Sequence, residues 1–131
     1  MRVRSDLWVA ALIRRAFAAG ATAGVVHHGA DEAGAIFVAL DRLDGAADLW
    51  GPAPQSDFTE TSSGDRRFER LVGRVTRADV LARIASERRF DPDLWLVEVE
   101  DRLGRHFIEP PPADPDAVSP ARPVWPPKLD D

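Results

Sequence analysis

No cysteine occurs anywhere in the 131 residues, which excludes disulfides, thiolate nucleophiles, cysteine-ligated zinc and iron–sulfur clusters before any pattern is read. Lysine is nearly as scarce: sixteen of the seventeen basic residues are Arg, and the single Lys128 leaves the body without a Walker A or Schiff-base lysine. Tyrosine and asparagine are missing too. Lys, Tyr and Asn share AT-rich codons, so these shortages point to a GC-rich bacterial genome rather than to a demand for bidentate Arg chemistry. No GxGxxG fingerprint or GxSxG elbow is present. No apolar run approaches the roughly 20 residues of a membrane span. Asp6 before the short run Leu7 to Ile13, and Arg14-Arg15 after it, are the wrong arrangement for a signal peptide, which sets the cytoplasm as the expected location.

What is present fits a soluble fold. Apolar residues at 44% and charged residues at 30% are globular proportions, and the length suits one core. Ser5 is expected to cap a helix from about Asp6 to Ala19, with Val9, Leu12, Ile13, Ala16 and Phe17 as its buried stripe, Trp8 and Arg15 at the stripe's edge, and Gly20 as the stop. Ala23 to His28 reads as a strand and Gly29 to Gly34 as a turn, while the unbroken apolar run Ala35 to Leu40 reads as a central strand. Asp44-Gly45 signals a two-residue hairpin returning through Ala46 to Trp50. Ser56 to Asp65 is a polar loop, and Arg67 to Val72 a further strand with Phe68, Arg70 and Val72 on one face. Thr76 and Asp79 form a capping box before a helix that buries Val80, Leu81, Ile84 and Ala85 and ends ahead of Pro92. Leu94 to Glu100 alternates as a strand with Trp95, Val97 and Val99 inward, and after Leu103-Gly104 a last strand is expected at His106 to Glu109. These elements define an α+β fold: two helices packed on a mainly antiparallel sheet of five or six strands. The compact domain covers 1–109. Eight prolines in residues 110–131 make a tail that is disordered or draped over the domain.

Several groups could carry chemistry. His28, Asp31 and Glu32 have metal-ligand character, with His27 and His106 as further imidazoles, but adjacent strand residues face opposite ways, so only one of His27 and His28 could join such a site. The hairpin register expected from Asp44-Gly45 sets Asp41 opposite Asp48, a carboxylate pair able to share a proton or a cation. Gly64 to Arg89 carries eight Arg against four acids, a net of +4, whereas Asp91 to Glu109 carries six acids against two Arg, a net of −4. Arg66, Arg67, Arg70 and Arg74 are the candidate phosphate or RNA contacts, although a whole-chain charge of −5 disfavours bulk nucleic-acid affinity. The candidate partner-binding residues are Trp8, Arg14, Arg15, Trp50, Pro123 and Trp125. The last two lie in a PxxP-bearing stretch whose Trp could dock in a partner's groove or fold back as a clasp.

Three stretches carry a family resemblance: Ser5-Asp6-Leu7-Trp8-Val9-Ala10-Ala11-Leu12-Ile13-Arg14-Arg15, Gly29 to Val38, and Leu49-Trp50-Gly51-Pro52-Ala53-Pro54-Gln55. With Arg67-Phe68-Glu69 and Asp91 to Glu98, they resemble the small bacterial family called domain of unknown function 1491, over most of the body but not the tail. The resemblance implies a discrete bacterial cytoplasmic domain and brings no activity and no catalytic residue with it. The leading expectation is therefore a non-enzymatic interaction or accessory protein, without cofactor or membrane association, acting on an unknown protein partner or on itself. The rival readings are a small metal-dependent or acid/base enzyme built on His27 or His28 with Asp31 and Glu32, and a weak Arg-patch binder of RNA or phosphate.

Overall fold

In a computed structural model, residues 3–54 and 66–116 are described, and they form two helices and five strands. Residues 55–65, which contain the expected polar loop Ser56 to Asp65, and the part of the 110–131 tail from 117 onward, with Pro123 and Trp125, lie outside the described residues.

Helix α1 (Ser5–Ala18) buries Ser5, Trp8, Val9, Leu12 and Ala16, a stripe rotated from the expected one. Phe17 is 56% exposed, whereas Trp8 is 9% exposed and stacks on Phe68 with ring centroids 5.0 Å apart. The indole brings more apolar surface than the phenyl ring, and it sets the phase of the helix. Ser5 does not cap. Arg4 occupies the N-cap position, and the buried Ser5 hydroxyl donates to the Gly34 carbonyl at 2.6 Å and accepts from Arg66 at 3.0 Å. The helix's open N–H groups donate instead to the carbonyls of Glu32 and Asp31, from Ser5 and Asp6 respectively. Gly20, at φ 89°, ends the helix as expected.

The sheet order is β1-β5-β2-β3-β4, from β1 (Thr22–His27), β2 (Ile36–Asp41), β3 (Ala47–Pro52), β4 (Phe68–Val75) and β5 (Trp95–Glu100). β2 and β5 run parallel and the other three pairings are antiparallel, so the sheet is mixed. β2 is central, which is why its apolar run is unbroken: Ile36, Val38 and Leu40 face α1 while Phe37 and Ala39 face the other side. On β5, Trp95, Val97 and Val99 join the α1 side and Leu96 the other. The last expected strand does not form. Both edges of β5 are already paired, so a returning strand has no free ladder beside it, and 103–109 instead crosses the α1 face as irregular chain with Ile108 buried.

The hairpin is longer than Asp44-Gly45 implies. Leu40 stands opposite Asp48 and Asp41 opposite Ala47, with the Asp41 and Asp44 carboxylates accepting from the N–H groups of Leu43 and Ala46 at 2.8 and 3.0 Å. These side-chain bonds close a wider loop in which Leu43 takes φ 62° and Gly45 φ 92°. A one-residue slip reverses faces, so Asp41 and Asp48 point to opposite sides and the expected carboxylate pair does not exist. In β4 the register shifts twice, and Val72 moves from the face of Arg70 to that of Leu49.

Helix α2 (Arg77–Phe90) begins at the expected capping box: the Thr76 hydroxyl accepts from Asp79 N–H at 3.1 Å and the Asp79 carboxylate accepts from Thr76 N–H at 3.3 Å. It packs Val80 and Ile84 over Ala47 and Leu49, on the face opposite α1, and leaves Ala85 exposed. Arg77 at its start donates to Glu98 on β5 at 2.7 Å, joining the basic and acidic stretches of the sequence.

The rotated stripe makes a direct prediction. Leu12→Ala should lower unfolding free energy by about 2–5 kcal/mol and Phe17→Ala by less than about 0.5 kcal/mol. Denaturant titration measures both, and the reverse ranking would contradict the helix phase.

Candidate anion-binding cleft

A cleft of about 340 Å³ opens on the α1 side of the sheet, between Leu40, Arg42, Trp50 and Arg70 on one wall and residues 104–109, Pro111 and Asp114 on the other. It owes its shape to two buried acids. Asp48 is fully buried; one carboxylate oxygen accepts from the Arg42 guanidinium at 2.7 and 2.9 Å, and the other accepts from the backbone N–H of Arg74 at 2.7 Å. Arg74 sits at φ 54° in the irregular part of β4, so Asp48 holds both a guanidinium and the strand distortion. Asp101, 5% exposed, accepts from the N–H of Arg105 at 2.8 Å and from its guanidinium at 2.8 and 2.9 Å. That bonding draws the Asp101 carboxyl below the usual carboxylate range. Between Asp101 and Arg105, Gly104 takes φ 74° and lies against the Arg42 guanidinium, where a Cβ would meet a nitrogen at 2.5 Å.

The irregular wall is held from beneath by α1. Arg15 donates to the Phe107 carbonyl at 2.7 and 3.1 Å, and burial lowers its proton affinity. His106 meets Trp50 edge-on with ring centroids 4.8 Å apart, and its Nδ1 accepts from Ile108 N–H at 2.9 Å. An accepting Nδ1 carries no proton, so the neutral ring keeps its proton on Nε2 as a donor. Burial holds this imidazole below its ordinary value of 6.5, against the opposing pull of the Asp114, Glu109 and Asp48 carboxylates. The indole N–H of Trp50 is a buried donor with no hydrogen-bond partner among the described residues. Arg70, opposite Trp50 in the sheet register, donates to both oxygens of Asp116 at 2.5 and 3.1 Å. The cleft is therefore lined by three guanidiniums, each paired with a carboxylate, a neutral imidazole and the Glu109 and Asp114 carboxylates, beside a buried indole.

The sequence-derived candidates are distributed as follows. Trp50 and Arg70 are in the cleft. Arg66 and Arg67 line a separate depression of about 280 Å³ with Ala33, Pro52 and Phe68, where Arg66 donates to the Val3 carbonyl at 2.8 Å. Arg74 contributes its backbone rather than its exposed side chain. The four Arg do not converge. Trp8 is in the core, Arg14 is exposed, and Arg15 props the cleft wall. His28 bonds Asp31 at 3.0 Å and lies against Trp95, while Glu32 is drawn to Arg4 and His27 stands opposite Leu96 on the other face. Among the described residues no three His, Asp or Glu side chains gather as a metal site. Arg42, Arg105 and the position of His106 are the cleft features with no local signature. Asp101 four residues before Arg105, across a Gly turn, is the one signal that could have found them.

These features define a small α+β protein whose two helices flank a five-strand mixed sheet beside an Arg-lined cleft; among the described residues no helix is long and apolar enough to cross a membrane. The chain belongs to the family described as protein of unknown function DUF1491, whose model matches residues 3–109. It is similar to the solution structure of protein Atu0922 from A. tumefaciens, at 48% identity and a TM-score of 0.68, over 76% of this chain and 86% of that one. It is also similar to the crystal structure of a DUF1491 family protein from Caulobacter crescentus CB15, at 41% identity and a TM-score of 0.72, over 87% of this chain and 100% of that one. An NMR structure of a DUF1491 family protein from the same source matches at 41% identity with a TM-score of 0.73, over 87% and 99%. No curated protein matches the chain.

Two measurements check the cleft. Asp48→Ala leaves the Arg42 charge and the Arg74 N–H without their acceptor and should cost about 3–5 kcal/mol in denaturant unfolding; a loss below about 1 kcal/mol would mean that the pair is screened by solvent. His106, with its folded value lowered, binds fewer protons native than unfolded. Its contribution is complete above 6.5 and is lost as pH falls through the folded value. The unfolding midpoint should therefore drop as pH is lowered below 6.5, with a shallower slope in His106→Gln, and equal slopes would contradict the assignment.

Proposed function

We propose that this protein is a non-enzymatic binding protein whose cleft recognises a carboxylate- or phosphate-bearing group on its partner. The observation that carries this reading is the convergence of Arg42, Arg70, Arg105 and the neutral His106 ring on one cleft, next to the buried indole N–H of Trp50, which has no partner among the described residues. A buried donor without an acceptor costs roughly 1–3 kcal/mol, and a ligand oxygen is one way to recover it. The two buried acids support binding rather than proton transfer: Asp48 and Asp101 spend their oxygens on Arg and backbone donors. The arrangement suits one domain over 1–109 acting in a reducing cytoplasm, with the proline-rich remainder as an appendage.

The test follows the Trp50 indole and His106 ring signals by NMR during titration with inorganic phosphate at constant ionic strength. Saturable shifts confined to the cleft, weakened roughly tenfold by Arg70→Met, are expected. Shifts that survive Arg70→Met unchanged would overturn the reading, as would their absence from both the wild type and Asp116→Asn.

A further inference from the structure

Three Arg side chains line the cleft, but they are held in two different ways. Arg42 and Arg105 are fixed on Asp48 and Asp101, acids buried in the sheet and its following turn. Such pairs are permanent, because separating them strands a buried charge. Arg70 is different. Its partner Asp116 is 54% exposed and belongs to the chain segment that leaves the fold after Ile108.

That segment, Glu109-Pro110-Pro111-Pro112-Ala113-Asp114-Pro115-Asp116, cannot join the sheet, since four of its eight residues lack a ladder donor. What holds it across the cleft is its own pattern. Its prolines leave it without ladder donors, it bends at 109–110 and turns at 115–116, Pro111 and Asp114 line the cavity, and the N–H of Asp116 donates to the Asp114 carboxylate at 2.9 Å, setting the Asp116 carboxylate on Arg70. The segment sits as a peptide ligand would. What distinguishes this pair is its acid: Asp116 is exposed where Asp48 and Asp101 are buried, while the Arg70 side chain is 17% exposed, so Asp116 can be exchanged for another carboxylate in a way the two buried acids cannot.

We infer that the cleft's partner is an acidic, proline-spaced peptide, and that the chain's own Glu109–Asp116 segment is the resident competitor for the same seat. The inference rests on the anion-binding reading of the cleft given above. A tethered segment acts at an effective concentration in the millimolar range, so an outside peptide reaches Arg70 only against that competition.

The experiment uses the full chain and a synthetic acetylated peptide amide of the sequence Glu-Pro-Pro-Pro-Ala-Asp-Pro-Asp. Binding is followed through the Trp50 indole, the His106 ring and the Arg70 guanidinium. Asp114 and Asp116 are both exposed, so replacing them with Asn leaves the core untouched. The Asp114→Asn/Asp116→Asn chain should bind the peptide roughly fivefold more tightly than the wild type, because its binding-competent fraction is larger. A peptide with both Asp replaced by Asn should bind neither chain. Equal affinity for the wild-type and substituted chains would overturn the competitor while leaving the anion site standing. Saturable phosphate binding without peptide binding would overturn the partner class alone. Failure of both probes on both chains would sink the inference and the anion-binding reading together.

Discussion

β5 is hydrogen-bonded along both edges, antiparallel to β1 and parallel to β2, and the path of the chain on either side of it follows from that double pairing. A strand inserted beside one that came earlier in the sequence must be reached by a crossover, and α2 supplies it from the far side of the sheet. With β5 seated, β1 is displaced outward, although only an eight-residue connection separates it from β2 in sequence. No free ladder remains beside β5 for the chain to fold back onto. It turns at Gly104 and crosses the α1 face, where Arg15 grips Phe107 and Ile108 enters the core. The cleft is the space left between that crossing and the ends of β2 and β3.

Electrostatics then decides which parts of the cleft are rigid. Burying Asp48 without partners would be prohibitive, and the structure meets the demand with one guanidinium and one backbone N–H on separate oxygens. Asp101 is satisfied the same way by Arg105. Each acid anchors an irregularity: the distortion of β4 at Arg74, whose φ of 54° steric preference resists, and the tight turn through Gly104. The same bonds point two cationic side chains toward one space. Structural need and a receptive surface are thus met by the same residues.

Much of this was legible in the sequence. The central strand followed from an unbroken apolar run, α2 from Thr76 and Asp79, its end from Pro92, and the family from residue strings spread over the body. The failures have physical causes. The phase of α1 was misread because Trp8 and Phe17 compete for one face, and only the position of Phe68 decides between them. The hairpin register was misread because the Asp41 and Asp44 side chains stabilise a wider loop than Asp44-Gly45 alone would choose. The strand at His106 was ruled out by the sheet order, which local pattern does not encode. The cleft was invisible for a related reason: Arg42, Trp50, Arg70 and His106 belong to four separate segments, and the acceptor that organises them bonds a backbone N–H.

An Arg-lined cleft on a chain of net charge −5 looks contradictory until distance is considered. At physiological salt, charges separated by more than about 8 Å are largely screened, so the net charge governs what approaches and the local donors govern what stays. A long polyanion would meet the acidic stretch of Asp91 to Glu109 and the carboxylates of Asp114 and Asp116 around the cleft mouth. Inside the cleft a single carboxylate or phosphate group would face the guanidiniums aligned by buried acids, with the Glu109 and Asp114 carboxylates as the opposing charges beside them. On the anion-binding reading, the acidic excess that argues against an RNA-binding surface also leaves room in the cleft for one compact anionic group rather than a nucleic-acid backbone.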